Sequence, residues 1–332
     1  MIRAGTIRST GEIVKIRSMP ALVGTAVVSL ASAAHSQQPA PAADAAPKPF
    51  QAGTPLSATN EAGVTQTMSS NVKVYGSFRF AESCTFDPAR NLIVAMNAGN
   101  AEAIEKNDGF VSLINPDGSV HTSKWIGVTR DGLTLNQPLG SAIANGTLYA
   151  ADIDTVRSFD LKTGAPKAAV TIPEANVLNG IAAAADGTVY VSNTRDPQRI
   201  YKVTPDGKSS IFVNGAPLAQ PNGVALDPAG NVVVINIGDN AVLTFDKSAK
   251  LIKTEHSNQS GNDGLVVLAD GTKYVTSVRF GSVSRIRPGK DAEIIASGIP
   301  SPASMCYDSK QNQLVIPMNN NNALAFIKLG RK

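Results

Sequence analysis

The sequence predicts an all-β fold, a six-bladed β-propeller closed by an N-terminal strand. Three observations predict it. A repeat of roughly forty residues recurs six times from about Glu82 to the C-terminus, a period that implies a stacked or radial array. Each copy runs from a small-residue turn into an apolar strand, then through an Asp-x-x-Gly-like turn into a second apolar strand. The clearest copies are Pro221-Asn222-Gly223 to Asn236 and Leu178-Asn179-Gly180 to Asn193. The composition, 42% hydrophobic and 17% charged with 28 Gly and 20 Pro, suits short strands and tight turns better than helices. A chain of 332 residues is within the range that closed β architectures occupy as one domain.

Residues 1–36 read as a signal peptide. Arg3, Arg8, Lys15 and Arg17 form a basic n-region, and Ala21 to Ala34 is a small, apolar h-region too short to span a bilayer. Cleavage is expected between Ala33 and Gln37, with an internal start at Met19 and an uncleaved anchor as alternatives. The expectation is an exported protein, periplasmic or secreted. Removing this segment takes the net charge from +4 to about +1, so the basic balance is no nucleic-acid footprint. No later stretch approaches a transmembrane span, so no stable membrane insertion is expected after cleavage. Residues 37–71 are rich in Ala, Pro, Gln, Ser and Thr and are expected to be a disordered linker. Residues 72–332 form the propeller.

Within the repeats the second strands are the most visible: Leu92 to Met96, Leu148 to Ala151, Val189 to Ser192, Val232 to Ile235, Lys273 to Ser277 and Leu314 to Met318. Third strands follow, such as Thr155 to Asp160 and Ala241 to Asp246, and fourth strands such as Ser209 to Val213. The last copy ends after its third strand. Asn71 to Phe80 is strand-like and precedes the first copy, so it is expected to pair there and cover the open edge. A linear β-solenoid is the competing arrangement, but its coils are usually about half as long.

Aligning the residue just before each first strand gives Glu82, Leu139, Asn179, Asn222, Asp263 and Ala303. In a propeller these positions face a common axis, so Glu82, Asn179, Asn222 and Asp263 converge. Two carboxylates and two amide oxygens suit a divalent metal ion, Ca²⁺ first, with Mg²⁺, Mn²⁺ and Zn²⁺ as alternatives. Zinc is less favoured because no His or Cys sits in the ring. Asn179-Gly180, Asn222-Gly223 and Asp263-Gly264 also read as turn dipeptides in their own right. Glu82-Ser83 has no such explanation, and a buried carboxylate is costly without a partner.

A second ring, Asn97, Asp152, Asn193 and Asn236 with Asn319 similar, recurs at the ends of the second strands and is expected to cap turns through backbone amides. Arg195 and Arg279 follow such positions. They are candidate binders of an anionic substrate group, with solvated surface arginines as the alternative. Cys84 and Cys306 lie in the first and last repeats, neighbours if the ring closes, and export permits a disulfide. Cys84 falls one position earlier in its strand than Cys306, so the pair is expected to face opposite sides and remain buried free thiols, with the disulfide as the alternative.

Over about residues 72 to 330 the chain resembles the SMP-30/gluconolactonase/LRE-like family and, more loosely, NHL-repeat proteins. That family fills the metal positions of blades one, three, four and five with Glu, Asn, Asn and Asp, which Glu82, Asn179, Asn222 and Asp263 match in type, order and blade. The resemblance implies a metal-dependent hydrolase of a lactone or related ester, with Asp263 as general base and a small-molecule substrate. The chain departs from the family at Ser83, Cys84 and Phe86, where Gly-Pro and then Trp are usual. It departs again at Val177, where a substrate-facing Arg is common. There is no Gly-x-Ser-x-Gly, and histidine is scarce. The alternative function is a non-catalytic, NHL-like exported propeller with a structural metal that binds a ligand or protein. A monomer is expected in either case.

Overall fold

The computed structural model describes residues 57–330 apart from 77, 101 and 128–132. The expected signal peptide and the linker as far as residue 56 lie outside the described residues.

Six four-stranded antiparallel sheets follow one another along the chain. Blade one comprises β4 (Ala81–Asp87), β5 (Leu92–Asn97), β6 (Phe110–Ile114) and β7 (Val120–Ile126). Blade two holds β8 (Pro138–Ala144) to β11 (Pro166–Thr171), and blade three β12 (Leu178–Ala183) to β15 (Ser209–Asn214). Blade four runs from β16 (Pro221–Leu226) to β19 (Leu251–His256), and blade five from β20 (Asn262–Val267) to β23 (Glu293–Ala296). Blade six contains β24 (Cys306–Asp308), β25 (Gln313–Met318) and β26 (Ala323–Lys328), and its fourth strand is β3 (Val72–Gly76). The expected closure is therefore present, with Val72 opposite Ile327 and Gly76 opposite Ala323. Backbone pairing through β3 covers the edge of β26 and completes blade six to four strands.

The core is divided among the blade interfaces. Leu92, Val94 and Met96 of blade one pack with Leu148, Ala150 and Phe159 of blade two, and equivalent apolar clusters fill the five other interfaces. Each second strand is sandwiched between two neighbours, which is why Leu92–Asn97, Val232–Asn236 and Gln313–Met318 are buried at every position. Such strands read as continuous apolar runs rather than alternating ones. The fourth strands are rims: Leu251–His256 is almost wholly exposed.

Two expectations are corrected here. Part of the expected disordered linker is ordered, because β1 (Ser57–Thr59) and β2 (Thr65–Thr67) form a hairpin. Polar and backbone bonds hold it in place of apolar burial. Ser69 N–H donates to the Ser297 carbonyl at 2.9 Å, Ser297 N–H returns a bond to Ser69 Oγ at 2.8 Å, and Glu61 pairs with Arg279 at 3.5 Å. Cys84 and Cys306, expected as free thiols, form a disulfide between blades one and six with Cα atoms 5.4 Å apart. Their sidedness was inferred from regular alternation between Ala303 and Cys306. That stretch is irregular: β24 begins only at Cys306, and Pro302 and Ser304 make isolated bridges, the latter parallel to Ser83. Ser304 N–H donates to the Glu82 carbonyl and Cys84 N–H to the Ser304 carbonyl, so the two inner strands meet edge to edge where the ring closes.

Candidate functional site

A β-bulge positions the aligned residues. In blade three Leu178 pairs with Asn193 and Ile181 with Val191, which leaves Asn179 and Gly180 opposite a single residue. Pro221/Val224, Asn262/Leu265 and Pro138/Ser141 repeat the device, and in blade one the irregularity falls between Ala81 and Ser83, at Glu82. The extra residue turns one side chain per blade out of the ladder. The glycine after it has a spatial role. A Cβ on Gly223 would lie 2.8 Å from the Asp263 carbonyl oxygen and one on Gly264 2.5 Å from that of Ala303, while Gly140 and Gly180 would clash with the carbonyls of Asn179 and Asn222. The Asn-Gly and Asp-Gly pairs are therefore contacts between blades, and each residue of the aligned ring is seated against the next.

Glu82, Asn179, Asn222 and Asp263 are all buried, at 5%, 6%, 1% and 4% exposure. Asn222 Nδ2 donates to Asp263 Oδ2 at 3.3 Å, and Asn319 Nδ2 donates to Glu82 Oε2 at 3.0 Å. The other oxygens lack donors: Asn179 Oδ1, Asn222 Oδ1 and Asp263 Oδ1 are buried with no hydrogen-bond partner. Unpaired oxygens in such surroundings are costly. Burial raises Glu82 well above the usual carboxylate range, the Asp263 charge raises it further, and the Asn319 bond opposes both. Burial likewise pushes Asp263 up to about 7 against the opposing bond from Asn222. The two acids therefore feel one another across the ring. Among the described residues no three His, Cys, Asp or Glu side chains cluster, so any cation here would rely on amide as well as carboxylate oxygens. The orphaned oxygens fit a hard cation.

Beside Glu82, on the side of blades one to three, a cleft of about 420 Å³ is lined by Glu82, by Leu139, Ile153 and Val177, by Gln137 and Asn176, and by Arg195; Asn179, Asn222 and Asp263 do not line it. Arg195 is thus at the candidate site. Arg279 does not line this cleft, because its guanidinium faces Glu61 of the hairpin. Two other clefts of about 460 Å³ lie elsewhere, one beside Lys73 and Gln313 and one beside Asp270 and Arg285. Neither adjoins the buried acids.

The second ring caps turns through backbone amides at Asn97, Asp152 and Asn193, whereas Asn236 accepts no such bond, its Oδ1 being buried without a partner. Asn97 Oδ1 accepts from Arg79 N–H, Asp152 from Asn136 and Gln137, and Asn193 from Asn176 and Val177, while Asn236 Nδ2 donates to Asp239. Asn319 Oδ1 also accepts a backbone bond, from Asn320 N–H at 2.7 Å, and its Nδ2 in addition turns to Glu82. Its sequence position held the signal, because the equivalent of Asn193 in blade six is Met318 and Asn319 stands one residue beyond. His121 and His256 are exposed on the outer strands β7 and β19.

The profile of the SMP-30/gluconolactonase/LRE-like region matches residues 59–318. The chain belongs to the SMP-30/gluconolactonase/LRE-like family. Solved structures share the fold at low identity. A candidate gluconolactonase aligns with a TM-score of 0.57 at 17% identity, covering 78% of this chain and 93% of that one. A catalytically inactive His-to-Ala variant of virginiamycin B lyase from Staphylococcus aureus, bound to quinupristin, gives 0.56 at 13% identity, covering 78% and 100%. A streptogramin B lyase gives 0.52 at 14%, covering 79% and 88%. No curated protein matches the chain in sequence. In this family member the blade-one glutamate is followed by a disulfide-bonded cysteine, and Val177 N–H is tied to Asn193.

Proposed function

We propose that this family member hydrolyses a lactone or related ester with the aid of a divalent cation held by Glu82, Asn179, Asn222 and Asp263. The observation that carries the reading is the trio of buried oxygens without donors, Asn179 Oδ1, Asn222 Oδ1 and Asp263 Oδ1, in one ring with the Glu82 carboxylate. Ca²⁺ suits an all-oxygen set best, with Mg²⁺ or Mn²⁺ as alternatives. When bound, such an ion supplies a Lewis acid for the carbonyl oxygen and lowers the pKa of a coordinated water. Asp263 serves as general base: it takes a proton from water as the water oxygen attacks the carbonyl carbon. The ring C–O bond then breaks, and the proton returns to the departing alkoxide. Asn222 and Asn319 orient the two carboxylates. The fold-sharing lyase that loses activity with a histidine sets a contrast, since both described histidines here lie on outer strands. A disulfide between blades one and six supports the expectation of export to an oxidising compartment.

The test is metal analysis of the purified protein together with a lactone and ester panel, run with and without chelator. Stoichiometric cation and chelator-sensitive hydrolysis that Asp263→Asn abolishes are expected. A tightly held ion with no hydrolysis across the panel would replace this reading with the scaffold role.

A further inference from the structure

The cleft beside Glu82 is walled in part by two residues whose backbone is strained. Of the eleven non-glycine residues with positive φ among the described residues, only Phe80 (φ 48°) and Ile153 (φ 63°) carry large apolar side chains, and both line this cleft. A bulky or β-branched residue in the left-handed region is a true outlier, and such strain persists only where the surroundings enforce it. Here they do. Phe80 N–H donates to Asn322 Oδ1 at 2.6 Å and its carbonyl accepts from Ala98, while the Ile153 carbonyl accepts from Leu178 N–H at 2.7 Å. Ile153 also sits in the two-residue connection between β9 (Thr147–Asp152) and β10 (Thr155–Asp160), where glycine is the ordinary choice for positive φ.

The rest of the wall is consistent. Leu139 and Val177 line the cleft beside them. Ile104, also lining it, is 56% exposed; the other large exposed apolar side chains among the described residues lie on fourth strands or on the hairpin. Polyhydroxylated ligands need free donors and acceptors along their length. The polar residues here besides Glu82 are Glu102, Gln137, Asn176 and Arg195, and Asn176 Nδ2 is already committed to the Asp196 carbonyl at 2.8 Å, so the continuous face of the cleft is the apolar one. Glu102 and Arg195, the charged groups nearer solvent, are of opposite sign.

We infer that the site selects a lactone or ester bearing an apolar alkyl or aryl chain, which lies against Phe80, Ile104, Leu139, Ile153 and Val177 while its carbonyl faces Glu82. This specificity rests on the hydrolase reading. Its test is arranged so that the two can fail separately. γ-Lactones with progressively longer n-alkyl substituents are compared with polyhydroxylated aldonolactones for turnover, and the matching γ-lactams, which resist hydrolysis, are titrated by calorimetry. Lactam affinity is expected to rise about fourfold per added methylene until the cleft is filled, from the transfer free energy of a buried methylene. Ile153→Gly should flatten that series while keeping or raising the melting temperature, because glycine relieves positive φ. Val177→Ser should also flatten it. Preference for aldonolactones, no chain-length dependence in the wild type, or an Ile153→Gly variant that melts lower with its series intact would overturn the inference. Chain-length-dependent lactam binding without turnover of any lactone would uphold it while removing the hydrolase reading.

Discussion

Buried carboxylates without a counterion should make the metal-free protein less stable as pH rises. Asp263 is raised from an ordinary 3.8 to about 7 by burial. Between those values the folded protein holds a proton that the unfolded chain has released, so stability declines with pH across this window and levels off above it. At about 1.36 kcal/mol per pH unit, the rise corresponds to about 4 kcal/mol as a ceiling. For a domain of this size that is roughly 8 °C in melting temperature. Glu82 moves in the same direction and steepens the slope. Asp263→Asn removes the charge and should flatten the profile. Saturating cation should oppose the decline, since an ion binding only the folded state adds about 2.7 kcal/mol at a hundred times its Kd. The assay is a melting scan from pH 4 to 8.5 of chelated wild type and Asp263→Asn, repeated in millimolar Ca²⁺, Mg²⁺ or Mn²⁺. Identical profiles for the two proteins, with no cation effect, would refute both the burial argument and the candidate ion site.

The disulfide and the glycine ring supply two further predictions. Cys84→Ser/Cys306→Ser opens a closure of 222 residues and should lower stability by about 4 kcal/mol, read by denaturant unfolding against the oxidised wild type. Gly180→Ala drives a methyl group into the Asn222 carbonyl and should cost at least about 1–3 kcal/mol, with any cation affinity falling at the same time because Asn222 is displaced.

The strands and the aligned ring were legible because the same physical demand recurs in every blade. Second strands such as Val232–Asn236 are buried on both faces and so are apolar throughout, and the bulge places its extra residue at a constant offset. What escaped was whatever does not repeat. The disulfide depends on the irregular backbone between Ala303 and Cys306, which no alternation rule describes. Asn319 carries the same side chain as its turn-capping neighbours, and its bond to Glu82 depends on a one-residue displacement at the end of β25. Arg279 is a candidate only through its place after a second-ring position, and its partner Glu61 lies in a segment whose polar composition predicts no structure, although paired backbone groups and Ser69 hold it. Phe80 and Ile153 lie in connections whose backbone angles leave no mark in the sequence.

The bond between Asn319 and Glu82 joins residues 237 apart, and the sheet that holds Asn319 is completed by β3 from ahead of the first blade. An emerging chain can therefore stack five blades and still lack the hydrogen bond that supports the buried Glu82 carboxylate. The final blade needs a strand made early and kept unpaired until its partners arrive. Contacts this distant make folding slow. They also act as a check on assembly: any intermediate short of residue 319 leaves the two acids repelling each other without Asn319 to oppose them, so the acidic ring is fully supported only once the last blade closes.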